Sequence, residues 1–520
     1  MKNNYKKKLI EVAIPLEAIN AASAHEKHIH SGHPSTLHLW WARRPLAACR
    51  AILFCQLVDD PSEYVNDLLG NKRTRKAAEA EFEERAEKRE QDKIAGKTIP
   101  LDEKPLSLEE IAIELERKRL FKIIEDLVKW TNSTNEEIIE RARVEIRRCC
   151  GDELPRVYDP FSGGGSIPLE AQRLGLPAYG SDLNPVAVLI GKAMIEIPSK
   201  FKDQPPKHPG AKENLSYRGA EGLAEDILYY ARVLREKAWK KIGHLYPKVS
   251  LSPCDGGGEG TVLAWIWART VASPNPAVGG AHIPLVSTYW LCRKPKKKVW
   301  VAPKVIGKNI TFEVNRGEPA DTDAVTAGTK MGRGANFTCL LTGDAVPAEY
   351  VKKEGMAGRM GWQLLGIVVE SKGGRRYVSP DSKHVEIAFS ETPDWRPEHP
   401  LSQHPQYMSV TNYGPKNVSD LFMDRQTISL NTFSSLIPEV VKEIDALDEY
   451  KVAIATYLAL GVSRLANRQS TSTFWHNSGE KVEQVFAMQA LPMRWDTAEE
   501  NPFPHRLETL SDRFSILQNP

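Results

Sequence analysis

Residues 157–175 of this 520-residue chain read VYDPFSGGGSIPLEAQRLG, and this stretch decides the fold around it. Val157 and Tyr158 are β formers that lead into Asp159. The three glycines at 163–165 then make a loop that has no Cβ to obstruct a ligand. The stretch therefore predicts a strand that ends in a carboxylate and runs into a glycine-rich loop.

A helix and a second strand follow the loop. Apolar residues recur at helical spacing from Ile167 to Leu174, and Gly175 is a residue type that ends helices. The residues AYGSD at 178–182 form a second strand that ends in Asp182. Strand, glycine loop, helix, strand and acid, in this order, hold an adenosyl group at the carboxyl ends of the strands in open α/β sheets.

The glycine pattern narrows the class of adenosyl ligand. A dinucleotide-binding Gly-x-Gly-x-x-Gly loop would need a third glycine where this chain has Pro168, and a Walker loop would need a lysine that the stretch lacks. The pattern that remains is Asp-Pro-Phe-x-Gly-x-Gly, which resembles the S-adenosylmethionine motif of amino-methylating DNA methyltransferases. The alternative is a glycine-rich turn in an unrelated α/β protein.

The resemblance implies roles for individual residues. The loop glycines would pass under the methionine end of S-adenosyl-L-methionine, and Asp182 would bind the ribose hydroxyls. The cofactor-binding residues predicted in this stretch are Asp159, Phe161, Gly163, Gly165, Asp182 and Asn184.

A second block, residues 32–53, reads GHPSTLHLWWARRPLAACRAIL. It is very similar to the amino-terminal block of the adenine-specific DNA methylases that contain a zinc ribbon. In that family such a block forms the other wall of the cofactor pocket, which implies cofactor contacts for Trp41 and Arg43. The arginine pair, Arg43 and Arg44, is expected to meet the cofactor carboxylate or a DNA phosphate. The alternative is that Trp40 and Trp41 are core residues beside a surface arginine pair.

Four histidines in the same region suggest a metal site, because imidazole is a common transition-metal ligand. Their spacing matches no standard zinc pattern, and no cysteine or acid cluster completes one, so no metal is predicted. The four are His28, His30, His33 and His38.

The overall composition is that of a globular protein with a weak basic bias. The net charge of +3 and the pI near 8.3 permit nucleic-acid binding through local patches without requiring it. Seven cysteines without a Cys-x-x-Cys pair argue against a disulfide framework and predict a cytoplasmic location. No apolar run approaches the ~20 residues of a membrane span, so no membrane partner is expected.

Periodicity and the resemblance together predict an α/β protein with five regions. The core is a Rossmann-like S-adenosylmethionine methyltransferase domain with a partial sheet, joined by a helical N-terminal arm and an inserted, mainly-β, degenerate zinc-ribbon region. The regions are the cofactor-wall block at 1–70, the charged helical arm at 71–150, the cofactor-binding core at 151–245, the β-rich insert at 250–390 and a helical C-terminal region at 391–520.

The insert resembles the zinc ribbon of that family but departs from it at the metal ligands. The family has cysteines where this chain has Ser273, Val278 and Thr342, and Cys339 is kept. Structural zinc needs four ligands, so a single cysteine predicts no zinc. The insert is expected to keep its fold by apolar packing around the aromatic residues Trp265, Trp267, Tyr289 and Trp290.

The densest basic run of the chain lies in this insert. Lysines of this kind contact DNA phosphates and fix position without reading sequence, and the alternative is a solvated hairpin tip. Together with Arg44, the predicted DNA-binding residues are Arg293, Lys294, Lys296, Lys297 and Lys298.

The base-reacting motif of this enzyme class, Asp/Asn/Ser-Pro-Pro-Tyr/Phe/Trp, does not occur in the sequence. In that motif the polar side chain and a proline carbonyl accept hydrogen bonds from the exocyclic amine, while the aromatic ring stacks on the flipped base. The nearest approximations each lack an essential member, and they are Gln204-Pro205-Pro206, Asn184-Pro185 and Asn501-Pro502-Phe503.

The predicted function is an S-adenosylmethionine-dependent DNA adenine N6-methyltransferase polypeptide without its own base-reacting residues, and no catalytic residue is assigned. The resemblance covers nearly all of this chain but only the amino-terminal part of the family's length, so the chain is expected to be truncated before the motif. A second protein chain is then expected to supply it. The alternative is a non-catalytic DNA- or partner-binding subunit of a split restriction-modification or phage-defence methyltransferase.

Overall fold

The computed structural model describes residues 5–29, 32–95, 106–151, 153–211, 216–371, 374–486 and 488–504. The chain forms two compact units. The first includes Met1–Asp203 and Arg218–Ala220, and the second includes Gln204–Tyr217 and Glu221–Phe514. The boundary near Asp203 divides the range 151–245 that the sequence assigned to one core, because the helix after residue 220 packs on helices of the second unit.

The first unit is mainly helical and contains the predicted strand pair. Its described helices are α1 (Leu9–Val12), α2 (Leu16–Glu26), α3 (Leu46–Leu57), α4 (Val65–Gly70), α5 (Lys72–Ile94), α6 (Leu108–Leu127), α7 (Glu136–Cys150), α8 (Ser166–Arg173), α9 (Pro185–Gly191) and α10 (Ile197–Lys200). A π-helical turn, Lys192–Glu196, joins the last two. The strands are β1 (Val157–Asp159) and β2 (Ala178–Gly180).

Local sequence explains the helical arm. The side chain of Asn71 accepts hydrogen bonds from two backbone N–H groups at the start of α5. Ser107 and Glu110 form a reciprocal capping box at the start of α6. The two helices pack against each other, and Arg85 pairs with Glu114 across them at 2.8 Å.

The core of the first unit lies where α3 meets α2, α6, α7 and α8. At its centre Arg50 of α3 binds Glu170 of α8, with Nε 2.5 Å from Oε2 and Nη2 3.2 Å from Oε1. Arg50 also donates to the carbonyl of Leu127 at 2.6 Å. Both charged side chains are at most 1% exposed. The pair therefore ties the helix after the glycines to the N-terminal helices.

The second unit combines antiparallel sheets with helices. Its described helices are α11 (Glu221–Ile242), α12 (Thr322–Ala327), α13 (Ala348–Met356), α14 (Ser382–Ala388), α15 (Asp424–Lys442) and α16 (Asp448–Ala466). Its described strands are β3 (Val249–Ser250), β4 (Glu259–Ala272), β5 (His282–Leu285), β6 (Trp290–Lys294), β7 (Lys297–Ile306), β8 (Asn309–Arg316), β9 (Phe337–Thr338), β10 (Ala345–Val346), β11 (Gly361–Ser371), β12 (Gly374–Val378), β13 (Trp475–His476), β14 (Lys481–Val482) and β15 (Asp496–Glu500). In neither unit do the described residues include a helix with the length and apolar character to cross a membrane.

Strand β4 is the centre of the largest sheet of this unit. The sheet runs β12-β11-β4-β15, with β3 and β5 also paired to β4, and all pairs are antiparallel. Trp265 and Trp267 pack on one face of β4, and Tyr289 and Trp290 belong to the core on the other face. All four aromatic residues are buried, as the sequence predicted.

The structure corrects the expectation of a helical C-terminal region at 391–520. Glu480 adopts a left-handed conformation (φ +52) and closes a hairpin of β13 and β14 within that region. The C-terminal region is not wholly helical, since β15 pairs with β4.

Candidate cofactor site at the glycine loop

The carboxyl ends of β1 and β2 carry the predicted site. The strands are parallel, with Asp159 opposite Gly180. Backbone pairing continues beyond them, since the N–H of Ser181 donates to the carbonyl of Asp159 at 3.0 Å and the N–H of Ser162 donates to that of Ser181 at 3.0 Å. Residues Ser162 to Gly165, called the glycine loop below, therefore begin directly beside the end of β2.

The carboxylate of Asp182 joins the end of β2 to the glycine loop. Its Oδ1 accepts from the N–H of Asn184 at 2.9 Å, and its Oδ2 accepts from the N–H of Gly163 at 2.8 Å. These backbone hydrogen bonds, that of Asn184 first, hold the pKa of Asp182 below its ordinary value. The carboxylate is ionised at neutral pH, and each oxygen keeps a lone pair for a further donor.

The N-terminal block lies against the glycine loop. Gly163 has φ +48, and a Cβ added there would lie 2.6 Å from Nε1 of Trp40. A Cβ added at Gly164 would lie 3.0 Å from Cζ of Arg43. Gly165 has φ +74 and turns the chain from the loop into α8. The glycines therefore allow the block to approach the loop closely, a role additional to the one that the sequence predicted for them.

Arg43 is a half-buried cation with no carboxylate partner in the described ranges. Its Nη1 donates to the carbonyl of Gly164 at 2.6 Å, and its Nη2 lies 3.5 Å from the carbonyl of His38. Its Nε is buried without a hydrogen-bond partner. Burial lowers the pKa of Arg43 to about 10, so the guanidinium stays charged at neutral pH. A buried charge without a counter-ion is costly, and an anion beside Arg43 would offset that cost.

Other predicted residues lie at the rim of this centre. Phe161 is 82% exposed, and Leu183, which follows the Asp182 carboxylate in the chain, is 98% exposed. The Oδ1 of Asp159 accepts from the N–H of Phe161 at 3.1 Å and shapes the loop. Asn184 caps α9 with its side chain. The apolar side chains of Phe161 and Leu183 are thus exposed to solvent beside the ends of β1 and β2.

The two members of the Trp pair, and those of the Arg pair, lie in different environments. Trp41 is 50% exposed, and it is Trp40 that contacts Gly163. Arg44 has an exposed side chain, and its main-chain carbonyl accepts from Oγ of Ser166 at 2.8 Å. The sequence could not separate the members of each pair, because the segment has no helical or strand periodicity to assign a face.

The histidines of the block make structural contacts. Nδ1 of His33 accepts from the N–H of Ser35 at 3.1 Å, and burial lowers the pKa of His33 to about 4. Nδ1 of His38 lies 2.9 Å from the carbonyl of Leu39. Within the part of the chain that the structure describes, no group of three or more His, Cys, Asp or Glu residues could hold a metal ion. His30 lies outside the described residues.

Three of the four positions that the resemblance compares with zinc ligands lie together in the second unit. Oγ of Ser273 lies 3.4 Å from Sγ of Cys339. Burial raises the pKa of the Cys339 thiol, but hydrogen bonds from Ser273 and Thr342 outweigh it and leave that pKa lowered. Three of the four positions that carry cysteine in the zinc-ribbon methylases are thus in contact. One thiol and two hydroxyls do not fit zinc.

Two acidic residues pair with three of the five members of the predicted DNA-binding run, which keeps a positive net charge. Lys294 and Lys297 both pair with Glu480 at 2.6 Å, and Lys298 pairs with Glu318 at 2.6 Å. The ion pairs make these lysines less available to phosphate than the sequence suggested. The sequence could not show this, because the acidic partners lie far from the lysines in the chain. The members of the run without a carboxylate partner among the described residues are Arg293 and Lys296.

Asn501 is not placed to hold a base amine. Its Nδ2 donates to the carbonyl of Val262 at 2.8 Å, and its Oδ1 accepts from the N–H of Phe503 at 3.0 Å. Asn501 is 5% exposed, and the Phe503 ring packs edge-on against Tyr246 at 5.2 Å. Both residues therefore serve the core of the second unit.

The sheet at the candidate site is open. In the described residues β1 and β2 pair only with each other. Tyr158 and Tyr179, which are opposite each other, are 63% and 53% exposed. Parallel sheets are normally covered on both faces and rarely expose their edges. Among the residues that the structure describes, nothing pairs with the outer edges of the two strands, and the two tyrosines stay exposed.

Comparison with known proteins gives a family match that includes the N-terminal block. A family model described as "Protein of unknown function (DUF1156)" matches residues 13–88, a range that includes Trp40 and Arg43. No curated protein and no solved structure matches the chain. The family match assigns no chemistry to the block.

Proposed function

We propose that this chain is the cofactor- and DNA-binding polypeptide of an S-adenosylmethionine-dependent DNA adenine N6-methyltransferase. The observation that carries the proposal is the carboxylate of Asp182, which is ionised and hydrogen-bonded to Gly163 at the carboxyl edge of two parallel strands. Open α/β sheets bind nucleotide-type ligands at this edge. The motif around the glycine loop selects S-adenosylmethionine among those ligands.

The residues around the glycine loop fit the chemical groups of that cofactor. The free lone pairs of Asp182 suit the ribose hydroxyls, and the uncompensated Arg43 suits the methionine carboxylate. The exposed side chains of Phe161 and Leu183 offer apolar surface to the adenine ring. S-adenosylmethionine supplies an electrophilic methyl group when bound, and these residues hold and orient it.

The base-reacting residues are proposed to come from a second polypeptide. The sequence has no Asp/Asn/Ser-Pro-Pro-aromatic motif, and the side chain of Asn501 is engaged in the core. The open β1–β2 sheet offers an edge on which further strands can pair. The same open edge, with exposed Tyr158 and Tyr179, also favours a second candidate, a subunit that binds a partner and has no catalytic role.

Calorimetric titration of S-adenosylmethionine into the full chain tests the proposal. Asp182→Asn removes the charge that the ribose hydroxyls would meet, and we expect at least about tenfold weaker binding, since hydrogen bonds to charged groups contribute about 1.5–3 kcal/mol. Asp67→Asn, at an exposed acid of the same unit, is the control and should bind as the wild type does.

Two outcomes would change the assignment. If the wild type binds no S-adenosylmethionine, the cofactor proposal fails and the partner-binding subunit is favoured. If the wild type alone transfers labelled methyl groups to DNA, the base-reacting residues are present in this chain and the proposal of a second polypeptide is wrong.

A further inference from the structure

A cavity of about 420 Å³ lies within the second unit, away from the glycine loop in the sequence. It is bounded by α11, α15 and α16, by β4 and by the hairpin of β13 and β14. Its volume is within the range of about 300–1,000 Å³ that is typical of small-ligand sites. The apolar residues of its wall include Leu263, Phe433, Tyr457, Val462 and Trp475.

The charged residues of the wall leave a positive excess. The cations are Arg235, Arg375, Arg464, Arg468 and Lys481, and the acids are Glu480 and Glu500. Glu480 is already neutralised by Lys294 and Lys297, each at 2.6 Å, and Lys481 pairs with Glu483 outside the wall at 3.0 Å. Glu500 lies 3.4 Å from Arg468. An apolar cavity with cations at its wall suits an aromatic anion better than a neutral ligand.

Two of these arginines stand at junctions with neighbouring clefts. Arg235 also lines a cleft that contains Lys240, Lys248 and one acid, Glu236. Arg375 also lines a cleft that contains Lys296 together with Arg316, which pairs with Asp255 at 2.5 Å. In the described ranges no carboxylate lies within ion-pair distance of Arg235 or Arg375. The guanidinium of Arg235 is therefore available to a phosphate, which arginine binds through paired hydrogen bonds. Arg375 donates one N–H to the carbonyl of Glu480 and keeps its other N–H groups for a phosphate.

We propose that this cavity receives one nucleotide of a single-stranded DNA segment. The base would stack on the apolar wall, and Arg235 and Arg375 would bind the phosphates on its two sides. A small anion would need only one cluster of cations, whereas here cations continue from the cavity into both clefts, which is the arrangement of sites that follow a nucleic-acid backbone. The choice of DNA as the strand rests on the proposed function.

The test measures binding of a fluorescein-labelled single strand of about twelve nucleotides, a length within the site sizes of single-strand binders. Fluorescence anisotropy with the full chain is recorded over a series of salt concentrations. Each lost phosphate contact lowers the slope of log K against log salt by about 0.7 for single strands, so Arg235→Gln with Arg375→Gln should lower it by about 1.4. We expect roughly tenfold weaker binding for each arginine replaced.

Matched variants separate this role from a structural one. Arg232→Gln is the control, since Arg232 is an exposed arginine on the same helix that does not line the cavity. Arg375 donates to the carbonyl of Glu480, so its loss alone could disturb the fold. The single variant Arg235→Gln removes no described contact and keeps the test valid. A duplex of the same sequence should bind more weakly, because its bases cannot enter the cavity.

Several results would overturn the inference. These are an unchanged salt slope in Arg235→Gln, the same loss in Arg232→Gln, equal binding of duplex and single strand, or no binding of single-stranded DNA by the wild type at low salt. Titration of S-adenosylmethionine into the same variants separates the two proposals. If the variants bind the cofactor and their DNA binding is unaltered, the nucleotide site in the cavity is rejected and the proposed function stands.

Discussion

Replacing Gly163 by alanine tests how the glycine loop and the N-terminal block fit together. Gly163 has φ +48, a left-handed conformation that costs other residues about 1–2 kcal/mol. The new Cβ would lie 2.6 Å from Nε1 and 3.2 Å from Cε2 of Trp40, so the indole would have to move. Overpacking of this kind adds about 1–3 kcal/mol. We therefore expect Gly163→Ala to lower the free energy of unfolding of the first unit by about 2–5 kcal/mol.

Urea unfolding followed by circular dichroism measures this loss. Gly32→Ala is the matched control, because Gly32 has φ +71 and no atom within 4 Å of the position its Cβ would take. That variant should lose only the conformational part, about 1–2 kcal/mol. A double-mutant cycle with Trp40→Ala isolates the clash, since removing the indole should reduce the cost of Gly163→Ala to that of the control.

Two results of this double-mutant cycle would refute a close contact between Gly163 and Trp40. If Gly163→Ala costs the same in the wild-type and Trp40→Ala backgrounds, the two residues do not touch. If Gly163→Ala costs no more than Gly32→Ala, the loop has room for a Cβ. Either result would remove the physical argument that the N-terminal block forms one wall of the candidate cofactor site.

Two further predictions concern the core behind the site. Glu170→Gln leaves the buried guanidinium of Arg50 uncompensated and should cost about 3–5 kcal/mol in urea unfolding. Glu79→Gln, which breaks an exposed pair, should cost less than about 0.5 kcal/mol. The pKa of His33 is lowered from 6.5 to about 4, because its buried imidazole is neutral in the folded state. The free energy of unfolding is therefore highest above pH 6.5 and decreases by at most about 3 kcal/mol as the pH falls towards 4. Burial raises the pKa of nearby Glu26, which acts in the opposite direction. His33→Asn should therefore show less loss of stability between these pH values, and an unchanged pH profile would contradict the buried neutral imidazole.

Elements with strong local signals were predictable from the sequence. The arm helices have the capping residues Asn71 and Ser107 at their starts, and these signals act within one turn of the chain. The same is true of the turn at Gly165, whose left-handed conformation a glycine accepts without strain. In each case the information that forms the element lies inside the element.

Features that depend on distant partners were not predictable. Strand β15 pairs with the central strand β4, and Glu499 of β15 accepts a hydrogen bond from Nε1 of Trp267 at 2.9 Å across 232 positions of the chain. The run of lysines by itself predicts a phosphate-binding surface. In the structure, however, Lys294 and Lys297 pair with Glu480. Charge pairing across such distances has no local periodicity from which it could be read.

The sequence by itself determined the order of strand, glycine loop, helix and acid, because propensity and glycine geometry are local properties of the chain. Only the tertiary structure decided that Trp40 rather than Trp41 meets Gly163 and that the Nε of Arg43 is buried without a hydrogen-bond partner. It also decided that Arg235 and Arg375 line the same cavity and that each also lines a different neighbouring cleft. The physical reason is that burial and electrostatic environment are set by which surfaces pack together, and residues far apart in the chain supply those surfaces.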